Sequence, residues 1–95
     1  MVSFTVRMTF APEDREEIAE ILRALTLASR GEPGCVTYVP HVVEGNPDTV
    51  LIYEQYRDAA AADAHRQSDH FKKYAVGGLY QKMRERSRED LVALV

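Results

Sequence analysis

Tryptophan is absent from this chain, cysteine occurs once, and glycine and proline are sparse at five and four residues. With Cys35 alone there is no intrachain disulfide framework, so a reducing compartment, the cytoplasm, is the expectation. No apolar run is long enough to span a bilayer. The opening "MVSFTVRMTF" lacks a basic stretch leading into an apolar core, so no signal peptide is expected. Charge of one sign is also lacking. The net charge of −3 gives no basic footprint for nucleic acid or an anionic membrane, and neither is expected as a partner. There is no G-x-S-x-G, no G-x-G-x-x-G and no P-loop, which removes the nucleophile elbow and the nucleotide-binding loops. No repeat, linker or low-complexity tail interrupts the chain.

What is present fits one small domain of 95 residues. A domain of this size buries only about two thirds of its unfolded surface, so association is one route to stability. Residues 2 to 10 alternate strictly, with Val2, Phe4, Val6, Met8 and Phe10 apolar, which predicts a strand. Pro12 and the acidic cluster after it suit a helix start. Ile18, Ile21, Leu22 and Leu25 continue that helix at a 3.6-residue period until Gly31.

Cys35 to Glu44 and Thr49 to Arg57 predict two strands joined through "GNPD". Both carry apolar residues on both faces: Val36, Tyr38 and Val42 against Cys35, Val39 and Val43, then Val50 and Ile52 against Leu51 and Tyr53. Helices can cover only one face of so small a sheet. A second copy of the chain is the simplest cover for the other, and a homodimer is the expectation. Asp58 predicts the N-cap of an alanine-rich helix over 59–67, and Ser68 or Asp69 caps the next. That next helix carries Phe71, Tyr74, Ala75, Leu79 and Met83, interrupted by Gly77 and Gly78. "EDLVALV" predicts a last strand, with Lys82, Arg84, Arg86 and Arg88 offsetting the dipole at a helix end. The order β-α-β-β-α-α-β is a ferredoxin-like α+β arrangement with an antiparallel sheet.

The chemistry-bearing residues concentrate around "DAHRQSDHFKKY", Asp63 to Tyr74. His65 and His70 are five apart, which is about 140° on one helix. Paired metal ligands on a helix stand at i and i+4, so no metal is expected. His65 shares a face with Ala61 and Ala62 and either fills that groove or borders a ligand space. His70 reads as the support of a helix corner. His41 follows Pro40 on a two-sided strand, with Tyr53, Glu54 and Tyr56 on its neighbour. These side chains form either a structural polar network or a pocket wall. Cys35 lacks a basic cluster and reads as a packed thiol.

The run from Glu32 to Tyr74 resembles the antibiotic biosynthesis monooxygenase family, including its quinol monooxygenase branch. The residues that carry the resemblance are Glu32, Gly34, Cys35 and Tyr38, then Tyr53, Glu54 and Tyr56, then His65, Ser68, His70 and Phe71. The family usually has Trp where Tyr56 stands. The resemblance implies a dimeric α+β barrel of two face-to-face sheets, with one pocket per subunit between the helices and their own sheet. It places His65 and Tyr74 in the pocket wall, and Val6 and Met8 in its floor. It implies oxidation of a quinol or polycyclic phenol by O₂ without metal, flavin or other cofactor. His65 and His41 are then candidate bases, and Tyr53, Tyr56 and Tyr74 candidate substrate-positioning groups. Haem-degrading relatives carry Asn and His where Val6 and Ala75 align here, which argues against that branch. A non-catalytic ligand-binding or stress-response barrel, and an isomerase of a small oxygenated metabolite, remain as alternatives, because fold does not settle function.

Overall fold

The computed structural model describes residues 1–95. β1 (Val2–Thr9) follows the alternation: Phe4, Val6 and Met8 are buried on one face, and Ser3, Thr5 and Arg7 point the other way. A short 3₁₀ turn at Pro12–Asp14 turns the chain into α1 (Arg15–Arg30). Helix α1 buries Ile18, Leu22 and Leu25 against the sheet, each side chain contributing roughly 1.5–3 kcal/mol by its removal from water. β2 (Cys35–Val43) and β3 (Asn46–Tyr56) form the hairpin, and β4 (Glu85–Leu91) is the last strand. The sheet is antiparallel in the order β2-β3-β1-β4, with the helices on one face. This is the ferredoxin-like α+β fold.

Two expected boundaries shift, and one helix winds differently from the expectation. The hairpin turn is tighter than "GNPD", because Gly45 alone takes the left-handed conformation, at φ 79°, and β3 already begins at Asn46. The last strand is β4 at Glu85–Leu91, not "EDLVALV"; residues 92 to 95 lie beyond it. Every residue of β4 is exposed, since it is an edge strand held only by β1. Charged side chains on such an edge oppose pairing with a stranger, so the strand carries no apolar alternation to read. Consequently Arg86 and Arg88 belong to a strand and not to a helix end.

The third change is in the last helical segment. α2 (Ala59–Gln67) starts as expected, with the Asp58 carboxylate accepting from the Ala61 amide at 2.8 Å. Ser68 then turns the corner: its Oγ donates to the His65 carbonyl at 2.6 Å and accepts from the Phe71 amide at 3.2 Å. The following helix, α3, is π-wound over Phe71–Leu79 and finishes with one α-helical turn, Tyr80–Lys82. Such i→i+5 winding is uncommon and frequently accompanies functional sites. At the other side of α2, Gly34 lies so close to Ala61 that a Cβ on it would stand 2.3 Å from the Ala61 Cβ. That close approach seats α2 against the start of β2.

Candidate functional site

Five segments bring polar side chains to one end of the helix–sheet layer. Glu32 comes from the turn after α1, Tyr38 from β2, Glu54 and Tyr56 from β3, His65 from α2, and His70 from the corner leading into α3. The even-numbered residues of β3 point toward the helices, so Glu54 continues the row Val50, Ile52 and Tyr56 and is buried with them. His65 is only 3% exposed.

The hydrogen bonds fix the chemistry of these groups. His65 Nδ1 lies 2.8 Å from Glu32 Oε2, and His70 Nε2 lies 2.5 Å from the same oxygen. A carboxylate offers only acceptors, so both imidazoles donate to it. That assigns the His65 proton to Nδ1 and leaves Nε2 with its lone pair. Nε2 faces Glu54 Oε1 at 3.6 Å. The Tyr56 hydroxyl donates to that same Glu54 oxygen at 2.6 Å. Around the His65 ring stand Tyr56, Phe71 and Tyr38, with centroids 5.1, 5.2 and 5.8 Å away.

Burial tunes these groups in opposite directions. It lifts the Glu54 carboxyl to about 7, against the hydrogen bond from Tyr56 and the charges of Arg88 and Arg86, which draw it down. Burial also lowers the His65 imidazole, while the hydrogen bond and charge of Glu32 hold it up. Tyr38 and Tyr56 are pushed up, first by burial and then by the charge of Glu54, so both remain phenols. The Cys35 thiol is likewise raised, by burial and by Glu32 and Glu54, in keeping with a packed thiol.

His65 and Glu54 border a cavity of about 60 Å³ whose apolar floor includes Phe4, Val6, Met8 and Ile52. Phe71, Leu79 and Tyr80 wall it from α3, and Arg66, Arg86 and Arg88 stand around it. Of the residues singled out in the sequence, the structure brings His65, Val6 and Met8 to this cavity and sets Tyr56 directly behind His65. Tyr74 is half-buried against the core under Lys73, outside the cavity lining. Tyr53 and His41 are elsewhere: their registers, Tyr53 with Val39 and His41 with Leu51, put them on the opposite face of the sheet from Glu54.

Three groups in the cluster carry more than their sequence positions suggested. On one helix His65 and His70 would stand about 140° apart, but the corner at Ser68, expected as a break between two helices, folds both onto Glu32. Glu32, His65 and His70 thereby place three ligand-type atoms within 4.8 Å of one another. Two imidazoles and a carboxylate are a donor set that suits zinc or a similar ion. The contacts between them here have hydrogen-bond lengths. Glu54 was visible in principle: a charged residue inside the buried alternation Val50, Ile52, Glu54, Tyr56 must titrate or find a partner.

The family model for antibiotic biosynthesis monooxygenases matches residues 1–76. The candidate monooxygenase Rv0793 of Mycobacterium tuberculosis is 32% identical over 77% of this chain and 71% of its own length. The uncharacterised protein sll1783 of Synechocystis is 32% identical over 66% of this chain, a match that spans only 43% of that longer protein. Among solved structures, a candidate antibiotic biosynthesis monooxygenase from Bacteroides thetaiotaomicron superposes with a TM-score of 0.91 at 30% identity, covering 99% of this chain and 90% of its own.

Proposed function

Because the chain belongs to the antibiotic biosynthesis monooxygenase family, we propose that it oxygenates an electron-rich quinol or polycyclic phenol with O₂, using His65 as the base and no metal or flavin. The observation that carries this reading is the His65 ring, buried and held by Glu32 so that its unprotonated Nε2 borders the cavity. Neutral imidazole is a suitable base near neutral pH, and its depressed affinity for protons keeps it in that form.

The chemistry needs a proton acceptor and a dry place. His65 Nε2 takes the phenolic proton, and the Glu32 carboxylate stabilises the imidazolium that results. The phenolate gives one electron to triplet O₂, which avoids the spin barrier to direct addition. The semiquinone and superoxide then recombine to a peroxide anion, which takes the proton back from the His65 imidazolium and becomes a hydroperoxide. That species releases water and leaves a carbonyl, so one oxygen atom enters the product and the other departs as water. Glu54, whose carboxyl titrates near neutrality, and Tyr56 behind it are placed to steady the developing oxyanion. The cavity of about 60 Å³ has room for O₂, and a phenol ring requires side chains that line it to rearrange.

The test is oxygen uptake by chelator-treated protein with a panel of quinols. Uptake that survives chelation supports the reading. Tight binding of quinols with no uptake assigns the pocket to a non-catalytic barrel instead.

The functional unit in this reading is a homodimer. The outer face of the sheet leaves Val39, Leu51 and Tyr53 half-exposed. A stable interface there buries more than about 1,000 Å² in total. Sedimentation at micromolar concentration should give twice the chain mass, and a monomer would remove the dimer from the proposal.

A further inference from the structure

We infer that the His65 pocket selects an aromatic substrate bearing a carboxylate, which Arg86 takes at the open side of the cavity. This rests on the reading that the pocket holds the substrate. It adds a class of substrate that the oxygenation chemistry does not require.

The charge around the cavity is opposite to that of the chain. The protein carries a net −3, yet the cavity lining contains three arginines and a single carboxyl, Glu54. Glu54 is itself held partly protonated at neutral pH by burial. An excess of positive charge beside a low-dielectric cavity concentrates anions there.

The three arginines differ in what they are already bound to. Arg66 is paired with Asp63 on its own helix. Arg88 donates from Nε and Nη2 to Asp90 at 3.0 and 2.8 Å, and its guanidinium lies 3.8 Å from the centre of the Phe4 ring. Arg86 has no carboxylate partner; its guanidinium stands over the Tyr80 ring, 5.6 Å from the centre. The strand register aims it inward. Arg86 pairs with Met8 and Arg88 with Val6, so both project on the face where Met8 and Val6 form the cavity floor.

An inward charge on an edge strand can serve only to prevent edge-to-edge pairing. Arg86 is distinguished by its position: it borders the same cavity as the base, opposite an apolar floor, with its exposed planar fork bonded to no other protein group. A guanidinium in that state matches a carboxylate in two parallel hydrogen bonds. An aromatic ring on the floor near Phe4 and Phe71 would then present its hydroxyl toward His65 and its carboxylate toward Arg86.

The experiment compares a matched pair of ligands, 1,4-dihydroxynaphthalene and 1,4-dihydroxy-2-naphthoate, by anaerobic calorimetry at low salt. The wild-type protein should bind the carboxylate about ten-fold more tightly, as one partly exposed charge-assisted contact allows. Arg86→Ala should bring that preference to about one, and Arg86→Lys should retain part of it. Thermal midpoints within a few degrees of wild type confirm that both variants fold. Equal affinity of the wild type for the two ligands overturns the inference, as does a preference that Arg86→Ala leaves intact. Oxygen uptake on the same pair separates the two claims. A preference that depends on Arg86 with no uptake on either ligand keeps the anion site and rejects the oxygenase. Uptake on both ligands without a preference in binding does the reverse.

Discussion

The helix–sheet layer has a histidine beside a depression at each end, and the two ends are built differently. At one end His65 is 3% exposed, donates to Glu32 and turns its free nitrogen toward Glu54 beside a cavity of about 60 Å³. At the other end His41 is exposed on the edge strand β2, and its one hydrogen-bond contact is to the Leu51 carbonyl at 3.2 Å. The groove beside it, between α1 and β2, is much larger at about 380 Å³. Its only other ionisable groups are Arg23 and Arg30, and Arg30 is spent in part on the Tyr38 carbonyl. Size therefore does not choose the site. Convergence of buried titratable groups, His65 and Glu54 above all, each perturbed first by its burial, does.

The sharpest way to break this comparison is to remove the ring at the first end. His65→Ala should lower turnover on a confirmed quinol by roughly 10²–10⁴-fold, the range for loss of a general base. Steady-state oxygen uptake measures it. If the variant folds and turns over at the wild-type rate, the base lies elsewhere and the contrast between the two ends has no catalytic meaning. A circular dichroism spectrum and thermal midpoint accompany the measurement, because a ring packed among Tyr38, Tyr56 and Phe71 also contributes to stability.

A smaller effect isolates Glu54. Its carboxyl titrates near 7 in the folded protein, above the usual carboxylate value of 4.5. The folded state then holds a proton that the unfolded state has released. The stability associated with that proton is complete below about pH 4.5 and is lost as pH rises through about 7, where it levels off. The total is at most roughly 3 kcal/mol. His65 works in the opposite sense: its depressed value adds stability above the ordinary histidine range and loses it on acidification. The reading is therefore the difference between wild type and Glu54→Gln across pH 4 to 8, since His65 and the facing groups Glu32, Tyr56, Arg86 and Arg88 are common to both. The wild type should lose stability relative to the variant over that interval. A difference that stays flat means that Glu54 ionises at its ordinary value and that the arginines and Tyr56 offset its burial.

This same contrast shows what the sequence could disclose. β1 was legible because Phe4, Val6 and Met8 alternate with polar residues over a sheet face that helices cover. The two-sided apolar pattern of β2 and β3 was legible for the same reason. His65 stood out because Ala61 and Ala62 leave room beside it. Its partners did not stand out. Glu32 is 33 positions away, and only the seating of α2 on Gly34 and the turn at Ser68 bring Glu32, His65 and His70 to one oxygen atom. Those are contacts between elements, which periodicity within an element does not encode. β4 was misplaced because an edge strand with charges on both faces has no apolar rhythm, and the nearby "LVALV" imitated one. Tyr74 and Tyr53 were assigned to substrate by their type and family position, whereas strand parity and the winding of α3 put them outside the cavity lining.

The smallest expected effect sharpens the comparison from the other side. His41→Ala removes an exposed imidazole whose one hydrogen bond is to a backbone carbonyl. Surface substitutions of this kind usually change stability by no more than about 0.5 kcal/mol. His41 also lies on the sheet face opposite Glu54, in register with Leu51, away from the cavity where His65 is proposed to act. Turnover of the variant should stay within about two-fold of wild type, because no acid–base step passes through it. The position nevertheless lies on the face proposed for dimer contact, so sedimentation must accompany the kinetics. A large loss of activity in a variant that is still dimeric would make His41 part of the catalytic apparatus, and a pocket completed across the two sheets would replace the His65 cavity as the site. A loss that coincides with dissociation into monomers would instead place His41 in the interface, and the catalytic comparison would then rest on His65→Ala alone.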